Sequence, residues 1–293
     1  MYPFYYIDAF TDTPFEGNPC AVFPKADGLS EEEMGKIAME TNLPETSFVL
    51  ESERADFRVR YFTPRGEIPF AGHPTIATAF LLAREGRIRL SGESTVVQFE
   101  FNIGVLPVRV LTRPDGSIEM VGMEQKPPVF ADTVDAGELA GALGLPEADF
   151  LPSAPCQVVS TGVAFLIVPL KRLDAVKAAE MDRPRARKAL RGVGVSAMFV
   201  CAPQGFTSGG NTFARLLDPD NAGEDPYTGS ATGCMGSLLY RCGVIDSPRM
   251  VCEQGHLLGR PGSGVLELEG TPEDIQAVRL FGKAAASLSG RYR

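Results

Sequence analysis

Two stretches of this chain align without a gap: GEIPFAGHPT, Gly66 to Thr75, and GEDPYTGSAT, Gly223 to Thr232. They share Gly, Glu, Pro, Gly and Thr in the same places. Each follows a segment of the form Arg-x-x-x-Pro, Arg60 to Pro64 and Arg215 to Pro219. Each also leads into the one fully apolar helix expected in its half, PTIATAFLLA (Pro74 to Ala83) or SATGCMGSLLY (Ser230 to Tyr240). A helix that is apolar all round has to be enclosed. A repeat in this context marks a duplicated unit, so the chain is expected to build one thing twice: a sheet curled around a buried helix. Small residues at Ala77, Ala79, Gly233 and Gly236 let strands approach that helix closely.

The flanking sequence has β texture. YYIDAF and CAVFP read as two strands joined by the turn-forming TDTPFEGNP, and TSFVLES, DFRVRYFTP, STVVQFEF, VLPVRVL and SIEMVGME carry β-branched or aromatic alternation. The same texture returns in PCQVVST, AFLIVPL, SAMFVCAP, NTFARLL, MVCEQG and GVLELEG. Ser30 stands as an N-cap before EEEMGKIAMET, which predicts a short helix to about Thr41, stopped by Asn42-Leu43-Pro44. The expected fold class is α+β: two similar domains, each an antiparallel β-barrel-like sheet wrapped around a central apolar helix. With a boundary near GMEQKPPVFADT, the first domain is 1–122, joined by a returning C-terminal segment 277–293, and the second is 123–276.

Bulk properties exclude several classes of function. At 293 residues, 44% apolar and 22% charged, the chain is of ordinary globular composition, and its apolar runs are far shorter than a membrane span. No basic segment followed by an apolar one opens the chain, so a cytoplasmic protein is expected. A net charge of −9 with scattered Lys and Arg gives little drive toward nucleic acid or anionic membrane. The densest basic stretch, RPRARKALR from Arg183, reads as the solvated face of a helix. The six cysteines show no pair at two-residue spacing, and the only histidines are His73 and His256, so no metal site is expected. GVGVSAMFV at Gly192 reads as a turn entering a strand, not a dinucleotide fingerprint, and no nucleotide cofactor is expected.

Each decapeptide ends where helix N–H groups lack intrahelical partners, and Gly72 or Gly229 lets a ligand come close to the backbone. Two such helix ends facing each other across a cleft would hold a small carboxylate.

DAFTDTPFEGNPCAVF, LPETSFV, FTPRGEIPFAGHPTIA, EDPYTGSATG and EQGHLLGRPG, in this order, closely resemble the PhzF family of phenazine-biosynthesis-like isomerases, over about residues 3 to 285. The resemblance implies the diaminopimelate epimerase-like fold, with the active site between two similar domains and a homodimer as assembly. Epimerases and racemases of that fold place a cysteine immediately before the glycine at each helix mouth; here those positions hold Ala71 and Thr228. The two-thiol mechanism is therefore not expected. The PhzF-like branch uses a carboxylic acid instead, carried over to Glu45, which would shuttle a proton along a conjugated cyclic acid. Such work suits a carboxyl raised by partial burial. His73 and Asp225 carry over as its partners: His73 to relay a proton or donate a hydrogen bond, Asp225 to bind a substrate amine or hydroxyl or to cap its turn. Gly229 and Ser230 resemble the carboxylate-holding pair, with Gly72 and His73 opposite. Asn18 and Gln254 are further substrate-site positions that shape the cleft. Glu67 and Glu224 are expected to hydrogen-bond the turn, and Arg215 either to attract an anion or to pair with an acid.

The expected activity is thus a cofactor-independent isomerase acting on a small carboxylate, of the trans-2,3-dihydro-3-hydroxyanthranilate isomerase type. Two alternatives stay open: an epimerase or racemase using Glu45 with His73 or Asp225, and a non-catalytic metabolite-binding or partner protein that keeps the cleft.

Overall fold

The computed structural model describes residues 1–221 and 223–292. In chain order the elements are β1 (Tyr2–Ala9), β2 (Asn18–Phe23), α1 (Glu31–Thr41), β3 (Glu45–Leu50), β4 (Phe57–Thr63), β5 (Gly66–Ile68), α2 (Gly72–Arg84), β6 (Ser94–Phe101), β7 (Gly104–Thr112), β8 (Ile118–Gln125), β9 (Val129–Val134), α3 (Ala136–Leu143), β10 (Cys156–Ser160), β11 (Ala164–Pro169), α4 (Leu173–Ala178), α5 (Arg183–Val193), β12 (Met198–Ala202), β13 (Thr212–Leu217), α6 (Gly229–Arg241), β14 (Arg249–Gln254), β15 (Gly262–Thr271), β16 (Asp274–Gly282) and β17 (Ala284–Tyr292). They form two compact units, Met1–Glu124 with Phe281–Arg293, and Gln125–Leu280.

In the first unit β17 runs antiparallel to β1 from Tyr2 opposite Tyr292 to Ala9 opposite Ala284. The ladder continues through β2, β3, β4, β6, β7 and β8, with β5 folded back onto β4. Helix α2 packs on β1, β2, β3, β7 and β17, strands from distant parts of this ladder, so the sheet wraps around it. Ten of its 13 residues are buried, which is why an uncharged segment is stable there. On the outer face, Met34, Ile37 and Ala38 of α1 pack against Phe23, Phe48 and Phe62. Ser30 and Glu33 form a reciprocal capping box at the start of α1, and Asn42 ends it in the left-handed region at φ 50°.

The second unit repeats the plan with β9 to β15 in consecutive ladder order, around α6. Eleven of the 13 residues of α6 are buried, against β10, β11, β12 and β15. Its outer face is covered by α3, α4 and α5, whose Leu139, Leu143, Val176 and Leu190 meet Leu166, Val168, Met198 and Val200. Strand β12 is buried at all five positions because both its faces are covered. Arg183 and Arg187 of α5 donate to the carbonyls of Pro219 and Asn221, so the basic stretch expected to be a solvated face also holds the loop before the second decapeptide.

One feature departs from a purely antiparallel sheet. β2–β3, β4–β6, β11–β12 and β13–β14 are parallel, and each of these pairs is joined through a helix. A parallel pair needs a crossover, and the helices are those crossovers. Among the described residues no helix is long and apolar enough to cross a membrane.

Candidate active site

The two decapeptides open α2 and α6. Each helix starts at the decapeptide's second glycine, Gly72 or Gly229, with Ala71 and Thr228 as N-caps, and neither cap makes a side-chain capping bond. The helices begin slightly earlier than the uncharged segments implied, since Pro74 is accommodated in the first turn.

Residues identical in the two copies do the same structural work. Arg60 Nε and Nη2 donate to the two carboxylate oxygens of Glu67 at 2.7 and 2.6 Å. Arg215 does the same to Glu224, at 3.1 and 2.6 Å, and adds bonds to the carbonyls of Val176 and Ala179. Of the two readings of Arg215, pairing with an acid is what the structure shows. The shared threonine bonds back to its N-cap carbonyl, Thr75 to Ala71 at 2.7 Å and Thr232 to Thr228 at 3.0 Å. Planar bidentate pairing fixes the approach of the turn, and the threonine fixes its exit into the helix.

In the first unit, β3 begins at Glu45, and its Cα partner on the parallel strand β2 is Cys20. Glu45 Oε2 lies 3.3 Å from His73 Nε2, with the histidine side chain 7% exposed and the glutamate 20%. His73 Nε2 makes no hydrogen bond among the described residues, so the approach to Glu45 is a close contact. The ring also hydrogen-bonds the backbone of Pro19, which favours its charged form, but burial outweighs this and pushes its pKa down to about 3. At neutral pH the ring is therefore neutral. With one nitrogen donating to Pro19, the other has its lone pair toward Glu45 and can accept a hydrogen bond from that carboxyl when it carries a proton. Asn18, the first residue of β2, is fully buried. At Gly72 an added Cβ would meet nothing closer than Met123 Sδ at 3.8 Å, so packing within the chain does not demand glycine there.

At the second mouth, Gln254 Oε1 accepts from Thr228 N at 2.9 Å, and its Nε2 donates to Asp225 O at 2.8 Å. Thr228 Oγ1 donates to Asp225 Oδ2 at 2.6 Å. Gln254, 2% exposed, thus shapes the turn, and Asp225 is engaged in capping it. Gly255 at φ +84° lets the chain pass beneath Pro226, whose carbonyl would be 2.5 Å from a Cβ. Ser230 and Gly229 occupy the first turn of α6.

Several contributors were not evident from the sequence. Gln125 Nε2 donates to Gly229 O at 2.9 Å, and Thr161 Oγ1 donates to Gln125 Oε1 at 2.6 Å. Gly233 marks this contact, because a Cβ there would lie 1.9 Å from Gln125 Oε1. In the first unit Tyr61 bonds Thr75 and Ser47 bonds Thr78, each at 2.7 Å. The threonine shared by the two decapeptides was the available clue to this hydroxyl set.

None of the six cysteines stands at a helix mouth. Five are buried, and burial raises the thiols of Cys20 and Cys234, the latter to about 11. The model of the phenazine biosynthesis-like protein family, PhzC-PhzF, matches residues 7–290. The chain belongs to that family. It is 34% identical, over 99% of both chains, to the trans-2,3-dihydro-3-hydroxyanthranilate isomerase of Pseudomonas aeruginosa. It is 35% identical to the uncharacterized isomerase YddE of Escherichia coli O157:H7, over 96% of this chain and 94% of that one. A PhzF family structure from Bacillus anthracis superposes with a TM-score of 0.89 at 28% identity, covering 100% of this chain and 99% of that one. A structure named as a probable proline racemase from Agrobacterium radiobacter, at 12% identity and a TM-score of 0.65 over 100% of this chain and 93% of that one, shares the fold. This PhzF-family chain is accordingly an isomerase of the epimerase-like two-domain architecture.

Proposed function

We propose that this isomerase moves a proton within a small carboxylate-bearing, conjugated metabolite, with Glu45 as the group that takes and returns it. The observation that carries this reading is the 3.3 Å approach of Glu45 to a buried histidine held neutral. A neutral ring facing the carboxyl can accept a hydrogen bond from it once it holds the proton, without adding a competing charge. The Glu45 carboxylate removes a proton from one carbon, the electron pair delocalises over the conjugated system, and the Glu45 carboxyl, exchanging its proton with solvent in part, delivers one to another carbon. Atoms and charge balance within one molecule, and the glutamate ends as it began.

A substrate carboxylate suits a glycine-led first turn such as that of α2 or α6, where backbone N–H groups and the helix dipole favour an anion. Gly72 in the first unit, and Gly229 with Ser230 in the second, are proposed as carboxylate-holding positions, with Asn18, Asp225 and Gln254 keeping the loops in place. The P. aeruginosa relative's named substrate, trans-2,3-dihydro-3-hydroxyanthranilate, has this chemistry and is the first compound to try. A cytoplasmic homodimer completes the proposal; size-exclusion chromatography with light scattering checks its assembly.

The test is Glu45→Gln in protein verified to be folded by circular dichroism. General acid–base catalysis is typically worth about 10²–10⁴-fold, and a loss of that size is expected. Turnover at the wild-type rate overturns the reading. Run in deuterated solvent, the wild-type reaction is expected to place label at the carbon that receives the proton. Label found only at the carbon that lost it identifies an epimerase.

A further inference from the structure

Four buried hydroxyls lie on the inner face of the first unit, between the sheet and the helix that carries His73. Ser47, Thr75 and Thr78 are fully buried and Tyr61 is 1% exposed. Ser47 stands two residues beyond Glu45 on β3, so the two side chains share a face of the strand, and Tyr61 is the Cα partner of Ser47 on β4. Thr75 donates to Ala71 O at 2.7 Å and Thr78 to Pro74 O at 2.6 Å. A hydroxyl has one proton. Both threonine protons are therefore committed to the helix, and the 2.7 Å contacts must be donated from the strands, Tyr61 to Thr75 and Ser47 to Thr78. Two chains of hydrogen bonds run from sheet to helix, ending on the carbonyls of residues 71 and 74, on either side of His73.

This is costly construction for a barrel interior. Each buried hydroxyl must be bonded to offset its desolvation, whereas valine, alanine and phenylalanine would fill nearly the same space without that demand. What the hydroxyls add over apolar packing is direction: they fix the rotation and height of the first turn of α2 relative to β3. The two groups brought together by that registration are Glu45 on β3 and His73 in the turn.

We propose that the Ser47–Thr78 and Tyr61–Thr75 pairs are positioning residues that set the Glu45–His73 separation. This rests on the acid–base reading of Glu45 given above. A shift of about 1 Å in a catalytic group can cost about 10²-fold in rate, so Thr75→Val and Thr78→Val are expected to lower kcat at least about ten-fold while KM changes less than about three-fold.

The experiment measures kcat, KM and the pH profile with trans-2,3-dihydro-3-hydroxyanthranilate, alongside NMR of protein labelled with ¹⁵N-histidine. The chain has two histidines, and His256→Gln assigns their ring signals. In the wild type the His73 ring stays neutral until strongly acid pH; in the valine variants its titration is expected to move up toward the ordinary histidine value. Thr75→Ser, which keeps the hydroxyl, is expected to restore both readouts. A lowered melting temperature with wild-type kcat and an unmoved His73 titration overturns the proposal, because that is what packing alone predicts. If a valine variant does not fold, Ser47→Ala and Tyr61→Phe make the same test from the strand side. Glu45→Gln is run in parallel: retained turnover there defeats the acid–base reading, whereas loss of turnover there, with unaffected hydroxyl variants, defeats only the positioning inference. If the compound is not turned over, the ring titration decides alone.

Discussion

His73 makes the stability of this protein sensitive to acid in a way one substitution should remove. Its folded pKa is pushed down to about 3 from an ordinary 6.5 by burial. A depressed histidine pKa means the unfolded chain binds the proton more readily than the folded one, so stability is intact above pH 6.5 and is lost as pH falls toward 3. Linkage for one such site gives a loss of about 0.2 kcal/mol at pH 7, about 2 kcal/mol at pH 5 and about 3 kcal/mol at pH 4. His73→Gln keeps a polar side chain of similar reach but carries no titrating group. The wild type should therefore lose about 2 kcal/mol more than His73→Gln between pH 7 and pH 5 in urea unfolding. The other titrating groups, His256 included, are common to both proteins and cancel in the comparison. Parallel stability curves for the two proteins from pH 7 to pH 4 would refute the reasoning. They would mean that the Glu45 carboxylate holds the ring charged and outweighs burial.

The remaining predictions concern the frame. Arg215→Lys loses the planar fork that reaches Glu224, Val176 and Ala179 together, and a loss of about 2–3 kcal/mol is expected in urea unfolding, with a smaller one for Glu224→Gln. Gly233→Ala sets a methyl group against Gln125 Oε1, so Gln125 must leave Gly229; a lower melting temperature is expected, largely relieved when Gln125→Ala is added. Ser30→Ala breaks the capping box of α1 and should cost about 1 kcal/mol with no change in kcat.

What could be read from the sequence was what depends on local pattern. The strand alternation, the Ser30 cap and the enclosed helices are all there, because period, capping chemistry and missing charge act within a few residues. Of the covering helices of the second unit, α5 was read from RPRARKALR, but α3 and α4 were not. AGELAGAL in α3 holds two glycines and gives a weak helical pattern, although Asp135 caps it and Gly144 ends it in the left-handed region. AAASLSGRY in β17 has no β-branched residue, and it is a strand because β1 offers it a full-length partner. The parallel pairs were hidden for a related reason: strand order depends on where each helix crosses, which alternation does not encode. Glu45 and His73 were both named from their motifs, but their 3.3 Å approach depends on β3 lying beside β2 with α2 beneath, a juxtaposition that no local pattern contains.

The duplication separates frame from chemistry in physical terms. Every position identical in the two decapeptides that makes a resolved side-chain bond makes one that shapes the turn: glutamate to arginine, and threonine to the N-cap carbonyl. Among the positions that differ are His73 against Ser230, both proposed above as site residues, and Ala71 against Thr228. A thiol in this chain could not replace a mouth cysteine from elsewhere. Cys234, on α6, is bonded to Thr161 and raised to about 11, so only about one molecule in 10⁴ carries the thiolate at pH 7. Cys20, the strand neighbour of Glu45, is fully buried, and the nearby glutamate raises it further. The same juxtaposition that disables this thiol places a carboxyl against a neutral imidazole. A site arranged in this way favours a single group that takes and returns its own proton over two opposed groups that exchange roles. That asymmetry is the reason allylic proton transfer is proposed ahead of racemisation, and the position of deuterium in the product decides between them.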